Sequence, residues 1–449
     1  MSVLLTQDEA ELRDAATLAV ELAARRGATA RASAHHEGIA RIAVRRGEVE
    51  TAERSGTQGL GLTVFHNGRR GMASTGSFDR AAIERVVEEA MMIASHVLPD
   101  PDAGLPLADS LAYSSPSPPL YADSPRDPDT LLSSATLADR IAVEVAADDL
   151  RLRVGESVAV ATEGLWALAT SDGFCRSIRR SNDGRWSVML AQDEGGSTSA
   201  FCQSQERRVD ALTPPEQLVR TAADRARSAL GGRTIASQRC PVLFAARTAM
   251  SLVSDLAGAL TGMAQFRGMT FLRAPLGQSV AAAHLELTED PFEPLGLASG
   301  PFDSEGIAGS ARHILRGGVV EGLFLSSVSG RKLGMASTGN ADGFYNLRLT
   351  STAPGGDWAA MLRMLGTGLV VTEFQGGKTD PASGNWTQAV KGLWIEGGEI
   401  VHAVTDVTLA GQMPAMLNGI RAVGHDVERQ GALRTGSILV DDMQVGGKA

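Results

Sequence analysis

Aromatic side chains make up only 4% of this 449-residue chain, cysteines number three, and no apolar run approaches the roughly 18 residues a membrane span needs. Scarce aromatics leave Leu, Val, Ile, Ala and Met to fill the core. Cys175, Cys202 and Cys240 are odd in number, far apart and without CxxC spacing, which argues against a disulfide framework or a cysteine zinc knuckle and points to buried free thiols. A basic excess is missing too: 42 Lys and Arg against 52 Asp and Glu give a net charge of −10, so nucleic acid is not an expected partner. The start, Met1 to Leu12, breaks into Gln7, Asp8 and Glu9 before a signal-peptide core could form, so a cytoplasmic location without membrane contact is expected.

The usual catalytic signatures are also absent. Gly376-Gly377-Lys378-Thr379 ends like a phosphate-binding loop, but Thr372 stands where that loop needs its first glycine. His35-His36-Glu37 lacks a second histidine at Ala40 or Arg41, the eight histidines form no ligand-spaced pair, and no Gly-x-Ser-x-Gly elbow occurs. Acid/base candidates remain in Thr288-Glu289-Asp290, Asp303-Ser304-Glu305 and Asp441-Asp442, although adjacent acids are commonly solvated or capping.

What is present is ordinary globular composition, 43% hydrophobic and 21% charged. Thr6-Gln7-Asp8-Glu9 reads as a capping box opening a helix that carries Leu12, Ala15, Ala16, Ala19, Leu22 and Ala23 up to Gly27. From Thr29 to Ser74 the period becomes two, with turns at Arg46-Gly47-Glu48 and Asn67-Gly68, predicting an antiparallel meander followed by a helix from about Ser77. Between Pro99 and Pro128 lie 8 of the 18 prolines, so residues 98–129 are expected to form an extended connection. A helix over about 129–147, hairpin strands turning near Asp172-Gly173 and Asp183-Gly184, and a helix from Pro214-Pro215 to Gly231-Gly232 complete an α+β N-terminal domain, 1–232. The remaining 233–449 holds 32 of the 50 glycines between short apolar runs, and reads as a mainly β domain with a few helices, the clearest being Arg247 to Leu260 after the strand Pro241 to Ala245. Gly-Met-Ala-Ser-Thr-Gly occurs at Gly71 and again at Gly334, with no matching flanks and no fixed period.

Phe302-Asp303-Ser304-Glu305-Gly306, His313-Ile314-Leu315-Arg316-Gly317-Gly318, Arg331-Lys332-Leu333-Gly334, Ser337-Thr338-Gly339-Asn340, Gly368 to Glu373, Gly392 to Ile400 and Gly436-Ser437-Ile438 together resemble the TldD/PmbA family, once called modulators of DNA gyrase. The resemblance runs over essentially the whole chain. It implies one of two branches: a TldD branch with a zinc metallopeptidase site on a His-Glu-x-x-x-His helix plus a C-terminal cysteine, or a PmbA/TldE branch that is its partner subunit. The matching helix here places Ser254 and Ala259 at the histidine positions and Asp255 at the glutamate, keeps Gly258, and Thr435 stands where the cysteine would be. A catalytic zinc takes about three N, S or O protein donors, and alanine supplies none. The resemblance therefore implies a PmbA/TldE-like subunit with no metal or catalytic residue of its own, zinc residing in a TldD-like partner, and extended, unfolded peptides as substrates. Competing readings are a stand-alone homodimeric peptide-binding scaffold, and a hydrolase using Asp255 with Asp303 or Glu305. If the helix is a vestigial metal site, Ser254, Ala259 and Thr435 should converge on one pocket, with the helix distorted near Gly258, because five residues of regular helix rotate by about 140° net.

Overall fold

The computed structural model describes residues 4–194 and 196–447. The first sheet is built from β1 (Thr29–Arg45), β2 (Glu48–His66), β3 (Arg69–Thr75), β4 (Leu152–Thr170), β5 (Cys175–Asp193) and β6 (Gly196–Glu206), antiparallel throughout in the order β3-β2-β1-β4-β5-β6. Both sequence-read turns of the meander are two-residue hairpins with left-handed central residues, Arg46 and Gly47 at φ 52° and 81°, Asn67 and Gly68 at 51° and 68°. Helices α1 (Glu9–Arg25) and α2 (Arg80–His96) bury Leu12, Ala16, Ile83 and Val87 against Ala30, Ala32, Leu60 and Leu62. Small residues let these layers come close: a Cβ on Gly71 of β3 would sit 1.9 Å from the Ala90 carbonyl oxygen of α2. Helices α3 (Pro128–Ala147) and α4 (Pro215–Ser228) share a second apolar cluster with Val154 and Met189. The buried Asp139 of α3 accepts the backbone N–H groups of Arg46 (2.9 Å) and Gly47 (2.7 Å), pinning the first hairpin turn to the helix.

Three local expectations are corrected. The capping box of α1 is formed by Asp8 and Glu11, not Thr6 and Glu9. Asp8 accepts from Ala10 and Glu11 N–H while Glu11 accepts from Asp8 N–H, a carboxylate being favoured at the positive end of a helix; Thr6 is instead engaged by His36. Asp183-Gly184 is no turn, because β5 runs through it. Asp183 is buried in an ion pair with Arg126, and a Cβ on Gly184 would meet Val160 Cγ1 at 2.9 Å, so this glycine serves close strand approach. Of the three free thiols only Cys240 is buried, while Cys175 at the start of β5 is exposed.

Between His96 and Pro128 the chain forms only the short 3-10 turn Ala108–Ser110 and one isolated antiparallel bridge, Leu111 to Ile307. This strap stitches the first sheet to the later chain: Lys332 pairs with Asp100 (2.8 Å) and Asp102 (3.2 Å), and Ala112 N–H donates to Gly306 O (2.8 Å).

The later chain carries β7 (Gln238–Phe244), β8 (Leu285–Asp290), β9 (Arg312–Arg316), β10 (Val319–Val320), β11 (Asn346–Ser351), β12 (Gly368–Thr379), β13 (Asn385–Glu396), β14 (Glu399–Gln412), β15 (Ile420–Val423), β16 (Glu428–Gln430), β17 (Leu433–Thr435) and β18 (Ile438–Gly446). They form two sheets, ordered β10-β9-β8-β11-β17-β16 and β14-β13-β12-β7-β18-β15. In the second of these, β14 also pairs with β18, which closes five strands into a ring. Phe244 and Trp386 pack edge to face, 5.8 Å between centroids, and share a core cluster with Val390, Leu409 and Val445. The two Gly-Met-Ala-Ser-Thr-Gly copies take different structures, one in β3 and one mostly in loop. Among the described residues no helix is long and apolar enough to cross a membrane.

Candidate functional site

Strand β7 leads directly into helix α5 (Ala246–Ala259), which carries the positions singled out in the sequence. Its entry is fixed to β12, since Ala245 N–H (3.0 Å) and the Thr248 hydroxyl (2.9 Å) both donate to the Val371 carbonyl. Leu252, Val253 and Leu256 face the core, which leaves the Ser254 and Gly258 stripe exposed. Ser254, Asp255, Gly258 and Ala259, spaced i, i+1, i+4 and i+5, line one cavity of about 400 Å³ together with Met263, Met269, Phe271 and Thr379. Asp255 accepts a 2.7 Å hydrogen bond from the Thr379 hydroxyl, and burial raises its pKa above the ordinary carboxylate value. The Gly-Lys-Thr segment that superficially suggested a phosphate loop thus lies in β12, with Thr379 satisfying Asp255.

Helix α5 stays regular through Ala259 and ends with Leu260 N–H on the carbonyls of Ala257 and Gly258, so the distortion expected at Gly258 is absent. Ser254 lies exposed and Ala259 is 4% exposed, as a net rotation of about 140° requires. Thr435, at the end of β17, is buried, and its hydroxyl donates to the Gly436 carbonyl (3.2 Å). Its strand packs against α5, but Thr435 is not part of the cavity lining. A Cβ at Gly258 would meet nothing within 4 Å. Gly258→Ala is therefore expected to raise stability by about 0.5–1 kcal/mol through helix propensity alone, read as a higher denaturant midpoint; a lower midpoint would reveal a backbone requirement at this position.

The cavity does not fit a catalytic zinc. Its lining offers one carboxylate already bonded to Thr379, with no imidazole and no thiolate; the Ala259 side chain has no lone pair, and its carbonyl is taken by Gln265 and Thr270. Among the described residues no group of three or more His, Cys, Asp or Glu is placed to hold a metal ion.

Asp303 and Glu305 do not join Asp255. Asp303 accepts backbone N–H groups from Glu305 (2.8 Å) and Ile307 (3.0 Å); burial, then the Glu305 carboxylate, push its pKa up to about 7. Glu305 pairs with Arg31 (3.4 Å) and accepts Ser327 N–H (2.6 Å). Asp303 lines a cavity against β1 and β4 that shares no residue with the α5 cavity, so the hydrolase arrangement is not assembled. Three of the other acidic candidates are held by cations, Glu289 by Arg312 (3.1 Å), Asp441 by Arg421 (3.3 Å) and Asp442 by Arg239 (2.8 Å), while the exposed Asp290 accepts the Phe292 N–H (2.7 Å) in a turn.

Sequence reasoning named Thr379 and Arg247 without finding their roles, and missed Arg207 altogether. Arg247 had a readable signal, a lone charge inside the otherwise uncharged run from Pro241 to Val253.

The family model for the PmbA/TldA metallopeptidase C-terminal domain matches residues 237–447, and that for PmbA/TldA metallopeptidase domain 1 matches residues 36–94. The chain is 32% identical to the Escherichia coli O157:H7 protein named metalloprotease PmbA, over 99% of both chains. It is also 32% identical to a metalloprotease PmbA homolog of Haemophilus influenzae, over 99% of this chain and 98% of that one. In fold it is similar to a Bacteroides thetaiotaomicron protein described provisionally as a modulator of DNA gyrase, with a TM-score of 0.89 at 21% identity, covering 99% of this chain and 100% of that one. TldE from Thermococcus kodakarensis superposes with a TM-score of 0.80 at 18% identity, over 96% of this chain and 100% of that one.

Proposed function

This chain belongs to the PmbA/TldA metallopeptidase family, and from that premise we propose that it is the PmbA/TldE-type subunit of a TldD/TldE-type zinc peptidase, itself without zinc ligands. The observation that carries this reading is the α5 cavity, where the positions matching the metal-binding helix offer Ser254, Asp255 and Ala259. In this account zinc and the hydrolytic step belong to a TldD-like partner in the cytoplasm, and this chain contributes walls and strand edges to an assembly that admits extended, unfolded peptides. Strand addition suits that role, because an edge strand presents unpaired backbone groups to any unfolded chain regardless of sequence. Strands β3 and β6 are the edges of the first sheet.

A permanent subunit pair typically buries about 2,000 Å² or more. Light scattering after mixing with the TldD-like protein of the same organism should therefore show a heterodimer at micromolar concentration, and a homodimer when the partner is missing. A chain that stays monomeric alone and in the mixture would refute the subunit assignment, and a homodimer indifferent to the partner would favour the scaffold reading.

A further inference from the structure

Arg247, near the start of α5, reaches the seam between β6 and the ring of β12, β13 and β14. It lines two cavities that share Ser199, Ala200, Arg247 and Glu373. One, of about 190 Å³, is walled by hydroxyls and backbone, including Ser197, Thr198 and Thr372. The other, of about 490 Å³, is walled by Trp186, Val188 and Phe201. Among the described residues nothing hydrogen-bonds or ion-pairs with the Arg247 guanidinium, whereas its charged neighbours are occupied. Arg225 binds Glu428 (2.7 Å) and the Phe201 carbonyl (3.2 Å), and Lys391 faces Glu373 at 3.9 Å. Burial, followed by repulsion from Arg225, lowers the pKa of Arg247, while the Glu428 and Glu373 carboxylates oppose the shift without contacting it.

A half-buried guanidinium that makes no hydrogen bond leaves its planar fork free, and a carboxylate can engage that fork through two parallel bonds. The wall opposite is an edge strand, beside an apolar cleft large enough for a side chain. We propose that Arg247 binds a peptide carboxylate, the ligand's chain lying extended along β6 and its apolar side chain entering the Trp186–Phe201 cleft. This deepens the subunit reading and rests on it for the peptide nature of the ligand. The site is separate from the α5 cavity: the two share no lining residue, and Ser254, where that cavity begins, lies about 10 Å further along the helix at 1.5 Å per residue.

The test is calorimetric titration of the full-length chain without any partner, so its outcome is independent of whether a peptidase assembles. The probes are acetyl-Ala-Ala-Phe with a free C-terminal carboxylate, the same peptide as its C-terminal amide, acetyl-Ala-Glu-Phe-amide, and inorganic phosphate. The free acid should bind at least tenfold more tightly than the amide. Recovery of binding with the glutamyl amide would assign the site to side-chain carboxylates, and failure to recover would assign it to chain termini, either outcome supporting a peptide carboxylate. Arg247→Gln should weaken binding of the acid at least tenfold, Arg247→Lys by an intermediate factor, and both should unfold at the wild-type denaturant concentration or above it, which a merely structural arginine would not allow. Equal binding of acid and amide, unchanged binding by Arg247→Gln, phosphate binding as tight as the peptide, or no binding at millimolar peptide would each overturn the proposal.

Discussion

Arg126→Met is expected to destabilise the fold by about 3–5 kcal/mol, because it leaves buried carboxylates uncompensated. The Arg126 side chain is 2% exposed and makes a bidentate pair with Asp183 (2.9 and 2.7 Å), while its third nitrogen reaches the carbonyls of Ala122 and Ser124 and the Glu163 carboxylate at 3.4 Å. Burial raises the pKa of Asp183 and Arg126 opposes the rise, so removing the arginine leaves the burial penalty unopposed. Guanidinium unfolding at neutral pH measures the loss. The triple variant Arg126→Met, Glu163→Gln, Asp183→Asn should recover much of it, since neutral amides need no counter-charge. A single-variant loss below about 1 kcal/mol would mean that water already compensates these carboxylates.

The second large effect lies at the join between the first sheet and the later chain. Arg207 is 3% exposed and donates to four backbone carbonyls: Gly296 (2.9 Å), Leu120 (3.1 Å), Ser181 (3.0 Å) and Leu297 (2.9 Å). Burial, with Arg180 and Arg429 nearby, lowers its pKa to about 10, so it is still charged at neutral pH. One side chain thus ties together the proline-rich strap, β5 and the loop walling the Asp303 cavity. Arg207→Met would take this donor from the Gly296, Leu297 and Ser181 carbonyls, while Leu120 keeps the Ser181 N–H (3.1 Å); an acceptor left fully dry costs about 1–3 kcal/mol, and with water admitted to some a net loss of about 2–3 kcal/mol is expected. Hydrogen exchange should show the extra opening concentrated at Leu120 and at residues 296–300, rather than in β1 and β2. Uniform protection loss would show that Arg207 supports the whole fold and not the join.

What was legible in the sequence was local and periodic. The Arg46-Gly47 and Asn67-Gly68 turns, the alternation of β1 and the strand-to-helix step from β7 into α5 are each encoded within a few residues. What was not legible depended on distant partners. Asp183-Gly184 has turn composition, yet the long-range pair with Arg126 and the close approach of Val160 hold it in a strand. Asp8 outcompetes Thr6 as the helix cap partly because Thr6 is engaged by His36, thirty residues away. At the site, the helix could be read directly, because the strand-to-helix step and the Ser254, Asp255, Gly258 and Ala259 positions lie along one element. The partner of Asp255 and the absence of Thr435 from the cavity depend on how β12 and β17 arrive, which no local pattern encodes.

The central claim is that this chain carries a metallopeptidase fold without the metal site. It is tested most directly by measuring zinc content and peptidase activity together, on this chain alone, on the TldD-like protein alone and on their mixture. The account predicts no stoichiometric zinc and no hydrolysis of an unfolded peptide by this chain, about one zinc per TldD-like chain, and chelator-sensitive activity in the mixture that survives Asp255→Asn in this chain. One tightly held zinc per molecule of this chain, or chelator-resistant hydrolysis by the chain alone, would contradict it.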